Sequence, residues 1–120
     1  MEFKYKKEKS LEERKKEYQK IIEEHPGKIG VICQKAPKSK IQEAEKSKYL
    51  INQEMNITNF TSLIRKRLNM DKEDALFFLV NGKKVLSGNE TIQDIYDKYK
   101  DEDGFLYIAY ASEEVWGNHK

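Results

Sequence analysis

The 120-residue sequence has few of the residues that carry chemistry or covalent cross-links. Its single cysteine, Cys33, excludes an internal disulfide framework and a multi-thiolate metal site. Its two histidines, His25 and His119, stand outside any His-x-x-Glu-His arrangement. There is no glycine-rich phosphate loop and no Gly-x-Ser-x-Gly elbow. Two prolines and six glycines form no linker or low-complexity tract, and no internal repeat occurs. No apolar run approaches the roughly 20 residues of a membrane helix. No charged start followed by an apolar stretch suggests a secretory signal. These absences point to a cytoplasmic chain that is not an enzyme, has no catalytic residues of its own and holds no metal or cofactor. At 14.2 kDa it has the size of one domain. A chain of this length removes about two-thirds of its extended surface from water, enough for one real core but not for an interdomain cleft.

Charge is abundant and uneven. Residues 28–67 hold nine Lys/Arg against three acidic residues, and residues 90–114 hold two Lys against eight acidic residues. The basic stretch is either part of a solvated surface or a face for an acidic peptide, a phosphate or an anionic membrane. Nucleic acid fits poorly, because no aromatics interleave with the lysines and the acidic C-terminal third would repel phosphate.

Periodicity predicts the elements. Leu11, Tyr18, Ile22 and His25, with Ile21 beside them, form a narrow stripe on a charged helix. Ser10 and Glu13 make a capping box at its start, and Pro26-Gly27 ends it. A shorter helical turn is expected within residues 2–9. Residues 28–35 alternate as a strand, with Ile29, Val31 and Cys33 on one face and Gly30, Ile32 and Gln34 on the other. Cys33, lone and inward, reads as a small core residue rather than a nucleophile. A loop over 36–47 leads to a short strand over 48–51. Asn56 caps a helix over 57–68, with Met55 and Phe60 as a hydrophobic staple. Leu76 to Val80 is a strand, Asn81-Gly82 a hairpin turn, and Val85-Leu86 a short return. Thr91 and Asp94 cap a last helix, and residues 105–110 form a final strand. From residue 28 onward the order is β-β-α-β-β-α-β, an α+β architecture with a mixed sheet.

Several apolar residues fall where a polar one is expected: Ile21, Ile32, Leu50, Ile51 and Phe105. Either the N-terminal helix covers that side as a second small core, or it leaves an apolar groove rimmed by lysines. The latter would take an extended peptide along a strand edge.

Taken as blocks, the sequence resembles the autophagy ubiquitin-like modifiers, nearest the gamma-aminobutyric-acid-receptor-associated branch. The resemblance covers residues 1–117. It rests on Lys4-Tyr5-Lys6, Lys35-Ala36-Pro37-Lys38, Lys46 to Leu50, Leu63 to Arg67, Glu73 to Phe78 with Val80-Asn81, Asp101 to Asp103, Leu106 to Tyr110 and an aromatic-Gly pair near the end. It implies a ubiquitin-like β-grasp core over 28–111, a helical extension over 1–27 and a tail over 112–120. It further implies cleavage by a cysteine protease between Gly117 and Asn118. Activating and conjugating enzymes would then join Gly117 to phosphatidylethanolamine, and the lipidated form would reside on autophagosomal or other intracellular membranes.

The resemblance also implies binding of receptors and adaptors that carry an aromatic-x-x-aliphatic motif. By position the aromatic pocket is Glu17, Ile21, Ile32, Lys48, Leu50 and Phe105. The aliphatic pocket is Tyr49, Ile51, Met55, Phe60, Leu63 and Ile64, and Lys28, Lys46 and Arg67 join Lys48 as a charged rim. Gly30 and Asn52 stand where relatives have proline, Lys83-Lys84 where they have apolar and proline residues, and Trp116 where they have Phe or Tyr. The segment 82–90 is one residue longer than its counterpart. The alternative is a non-conjugated peptide-binding adaptor of the same fold, in vesicle trafficking or on microtubules.

Overall fold

A computed structural model of the chain describes residues 1–86 and 88–112. Its elements are α1 (Lys4–Glu8), α2 (Leu11–Glu24), β1 (Lys28–Lys35), β2 (Lys48–Asn52), α3 (Ile57–Arg67), β3 (Phe77–Val80), β4 (Lys84–Val85), α4 (Ile92–Tyr99) and β5 (Leu106–Ala111). Side-chain caps decide several boundaries. Ser10 accepts from the Glu13 N–H while Glu13 accepts from the Ser10 N–H, and Thr91 with Asp94 repeats the box at α4. Asn56 caps α3 by accepting from the Asn59 N–H. Asn81 and Gly82, at φ 57° and 70°, turn β3 into β4 through left-handed backbone that asparagine and glycine tolerate.

The five strands lie in the order β2-β1-β5-β3-β4. β1 and β5 run parallel, and the other neighbours run antiparallel. β5 is central and every one of its residues is buried, because both faces of the sheet are covered. Alternation sorts its side chains between two cores. Leu106, Ile108 and Tyr110 join Val31, Cys33, Phe60, Ile64 and Ile95 under α3 and α4. Tyr107 and Ala109 join Phe3, Tyr5, Tyr18, Ile32 and Phe105 under α1 and α2. Cys33 is buried and free, and burial pushes its thiol pKa up, so it acts as core and not as a nucleophile.

The second core corrects the expected stripe of α2. Ile22 and His25 are exposed, while Arg14, Tyr18 and, in part, Ile21 face inward. The helix is turned by two contacts that periodicity does not contain. Arg14 pairs with Asp103 at 3.3 Å, and Tyr18 stacks on Tyr96 while meeting Phe105 edge-on. The acidic stretch at 101–103 is likewise not an open surface. Lys6 pairs with Asp101 at 2.5 Å and Arg14 with Asp103, so the N-terminal helices neutralise part of it.

Candidate functional site

β2 pairs with β1 on one side only and forms one edge of the sheet. The phase of its hydrogen bonds follows from its flanks. The Cys33 N–H donates to the Ser47 carbonyl at 2.7 Å and the Gln53 N–H donates to the Gly27 carbonyl at 3.2 Å. In an antiparallel ladder bonded and non-bonded positions alternate. Odd-numbered positions of β2 therefore bond to β1, and the N–H and C=O of Lys48 and Leu50 point to the open edge. Side chains alternate as well. Tyr49 and Ile51 enter the core under α3, whereas Leu50 lies on the α2 face and is 37 % exposed.

The residues of the aromatic set converge on the α2 side of this edge. Ile32 and Phe105 are wholly buried in the second core, Ile21 is half-buried against it, and Leu50 is exposed. Glu17 on α2 and Lys48 on β2 form an ion pair, and the Tyr5 hydroxyl of α1 donates to the same Glu17 carboxylate. The Lys48 ammonium also stands 5.2 Å from the centre of the Tyr5 ring. Burial, reinforced by nearby Lys9, lowers the Lys48 pKa. A polar network thus links α1, α2 and β2 beside the second core. The helices cover this side to the extent of a real second core, as one of the two sequence readings held.

The aliphatic set lies on the opposite face. Tyr49, Ile51, Phe60 and Ile64 are buried in the main core, and Met55 and Leu63 are partly exposed at its margin. Burial raises the Tyr49 pKa, and its hydroxyl donates to the Lys46 carbonyl at 2.8 Å. Lys46 lies 5.2 Å from the Tyr49 ring centre. Lys46, Tyr49 and Arg67 share the wall of an open cavity of about 420 Å³. Lys28 lies away from these cations, opposite Asn52 at the far end of the β1–β2 pair. Gly117, Asn118 and Trp116 lie outside the described residues.

Sequence reasoning missed the polar anchor beneath the aromatic set. Asp103 is buried, and its carboxylate accepts from the Phe105 N–H at 2.7 Å, the Tyr107 hydroxyl at 2.5 Å and Arg14 at 3.3 Å. Burial raises its pKa, and the bonds from Tyr107 and Phe105 oppose that rise. The pairing of Arg14 with a residue 89 positions later leaves no local pattern by which to find it. Among the described residues no group of three His, Cys, Asp or Glu side chains could hold a metal ion.

Residues 13–117 match the family model described as "Autophagy protein Atg8 ubiquitin like". The fold is similar to the crystal structure of ATG8 from Trypanosoma brucei, at a TM-score of 0.89 and 39% identity over 94% of this chain and 97% of that one. The mixed five-stranded sheet with its helices is accordingly a ubiquitin-like fold, and the chain belongs to the Atg8 family of autophagy ubiquitin-like proteins.

Proposed function

We propose that this protein is a modifier joined through Gly117 to phosphatidylethanolamine, and that it recruits receptors bearing aromatic-x-x-aliphatic peptides during autophagosome formation. The observation that carries the peptide reading is the open edge of β2 between two sets of apolar residues on opposite faces of the sheet. Residues three apart in an extended chain point to opposite faces. A peptide added along Lys48 and Leu50 would send its aromatic side chain toward Glu17, Ile21, Ile32, Leu50 and Phe105. Its aliphatic side chain would go toward Tyr49, Ile51, Met55, Phe60, Leu63 and Ile64. The peptide's acidic residues would meet Lys46, Lys48 and Arg67 at one end and Lys28 at the other, which favours encounter and register more than affinity. Entry requires Lys48 to exchange Glu17 for a peptide carboxylate, one charge partner for another.

The conjugation reading is supported by family membership together with the aromatic-Gly pair Trp116-Gly117. The helical extension 1–27 and the core 28–111 form the recognition unit, and 112–120 is the segment to be processed. Glycine has no Cβ and leaves its carbonyl open to attack in a narrow site. A carboxylate becomes an amide only through activated acyl intermediates, so the catalytic residues belong to the processing protease and to the activating and conjugating enzymes. Two acyl chains supply stable anchoring to a membrane; among the described residues no helix is long and apolar enough to cross one.

The test is expression in cells with an N-terminal tag. The wild-type chain is expected to lose Asn118 to Lys120 by mass and to yield a faster-migrating lipid form, and Gly117→Ala is expected to yield neither. An unchanged pattern in Gly117→Ala would overturn conjugation and favour the non-conjugated adaptor.

A further inference from the structure

A cavity of about 470 Å³ opens beside the β3–β4 turn, at the edge of the sheet opposite β2. Its volume falls within the range of small-molecule sites, about 300–1,000 Å³. Three separate parts of the chain wall it: the N-terminal segment with α1, the β3–β4 turn and the end of α4. Each brings lysine. Lys6 and Lys7 come from α1, Lys83 from the turn and Lys100 from the end of α4. The carboxylates in the wall are Glu2 and Asp101, so the lining is positive on balance.

The wall is held by contacts of its own. Phe3 is buried and meets Tyr107 edge-on at 5.1 Å between ring centres. Gln34 of β1 grips the backbone on either side of Phe3. Its side-chain oxygen accepts from the Lys4 N–H at 2.8 Å, and its amide nitrogen donates to the Glu2 carbonyl at 3.3 Å. The turn is seated on the same segment: Gly82 has φ +70°, and a Cβ there would stand 3.1 Å from Cβ of Met1. Lys6 is fixed to Asp101 at 2.5 Å and stands 4.6 Å from the centre of the Tyr107 ring. A site whose walls are fixed beforehand loses less entropy on binding.

The chemistry of the wall selects the ligand. Its cations are all lysines. An arginine fork suits a planar carboxylate, whereas an ammonium meets phosphate as a point charge. Lys6 is paired with Asp101 and Lys7 with Glu2 at 3.2 Å, but Lys83 and Lys100 form no ion pair among the described residues. Cations on three walls suit two or more phosphates carried on one small scaffold. Asn81 and Tyr99 add uncharged polar side chains that can meet its hydroxyls.

We infer that this cavity binds a phosphorylated polyol with two or more phosphates, as a free inositol polyphosphate or as the headgroup of a phosphoinositide. The site shares no residue with the aromatic or aliphatic set and depends on neither the peptide nor the conjugation reading.

The experiment has two arms. The full chain is titrated by calorimetry with inositol hexakisphosphate, with uncharged inositol as the control. It is also sedimented with phosphatidylcholine vesicles that contain or lack a phosphatidylinositol bisphosphate. Lys83→Gln should weaken binding by about fivefold, the upper end for an exposed charge pair. Lys84→Gln removes the same charge one residue away but outside the wall, and should change binding by less than about twofold. Glu2→Gln takes a carboxylate out of the wall and should tighten binding by about threefold. All three residues are exposed, so the variants keep the fold. Binding in the soluble arm assigns the free ligand and binding in the vesicle arm the headgroup, when it responds to Lys83→Gln and not to Lys84→Gln. Equal weakening in the two lysine variants is the mark of diffuse surface charge and overturns the site. Weaker binding in Glu2→Gln, or no binding in either arm, overturns it as well.

Discussion

Replacing Asp103 by asparagine tests what holds α2 to the strand that carries Phe105. The Asp103 side chain has no solvent exposure and that of Arg14 has 10 %. One carboxylate oxygen takes the Phe105 N–H, and the other takes both the Tyr107 hydroxyl and the Arg14 guanidinium. Asparagine offers one oxygen and one NH₂, so whichever way it turns, a donor faces a donor. Arg14 also loses its counter-charge in a site that water barely reaches. Removing one partner of a buried ion pair costs about 3 kcal/mol at the low end. For a domain of this size that lowers Tm by about 10 °C. Urea denaturation should show the midpoint falling at constant slope, since the folded surface is unchanged. The cycle is completed with Arg14→Met, which removes the unpaired cation. The double variant should lose less than the two single losses together, by more than about 1 kcal/mol. A loss under about 1 kcal/mol in Asp103→Asn would refute the reasoning, because it would rank the pair with exposed surface bridges.

Two further outcomes follow from the same part of the molecule. Gly104 has φ +102°, and a Cβ there would stand 2.5 Å from Cδ2 of Tyr18; Gly104→Ala should cost about 2–3 kcal/mol in denaturant, and wild-type stability would refute this. The Glu13 carboxyl is held below its ordinary pKa of 4.5, first by the Ser10 backbone N–H and then by the Ser10 hydroxyl. A carboxylate with a lowered folded-state pKa contributes stability that is fully present above the unfolded value and lost as pH falls through the folded one. Protection of the amides in the first turn of α2, measured against the intrinsic exchange rate at each pH, should therefore fall on acidification below 4.5 in the wild-type chain. Glu13→Gln should show no such pH dependence over that range, and a variant that retains it would contradict the assignment.

The order of helices and strands, their caps and the sorting of β1 were legible in the sequence because each depends on residues near one another in the chain. Ser10 with Glu13, Asn56 with Asn59 and Thr91 with Asp94 satisfy helix ends locally, and alternation along 28–35 separates two faces whatever covers them. Of the apolar residues flagged as out of place, the second core gathers Ile32 and Phe105 with Ile21 packed against it, whereas Ile51 lies in the main core and Leu50 is exposed. What covers them was not legible. The rotation of α2 is set by Arg14 reaching Asp103 and by Tyr18 reaching Phe105 and Tyr96, contacts between residues far apart in the chain. The same holds for the Glu17–Lys48 pair that joins α2 to β2 and for the space above Gly30 that Phe105 fills. Local propensity and period record which side chains seek burial or a cap. Only packing of distant segments decides which partner each one finds, because that choice turns on shape and charge meeting across the whole folded chain.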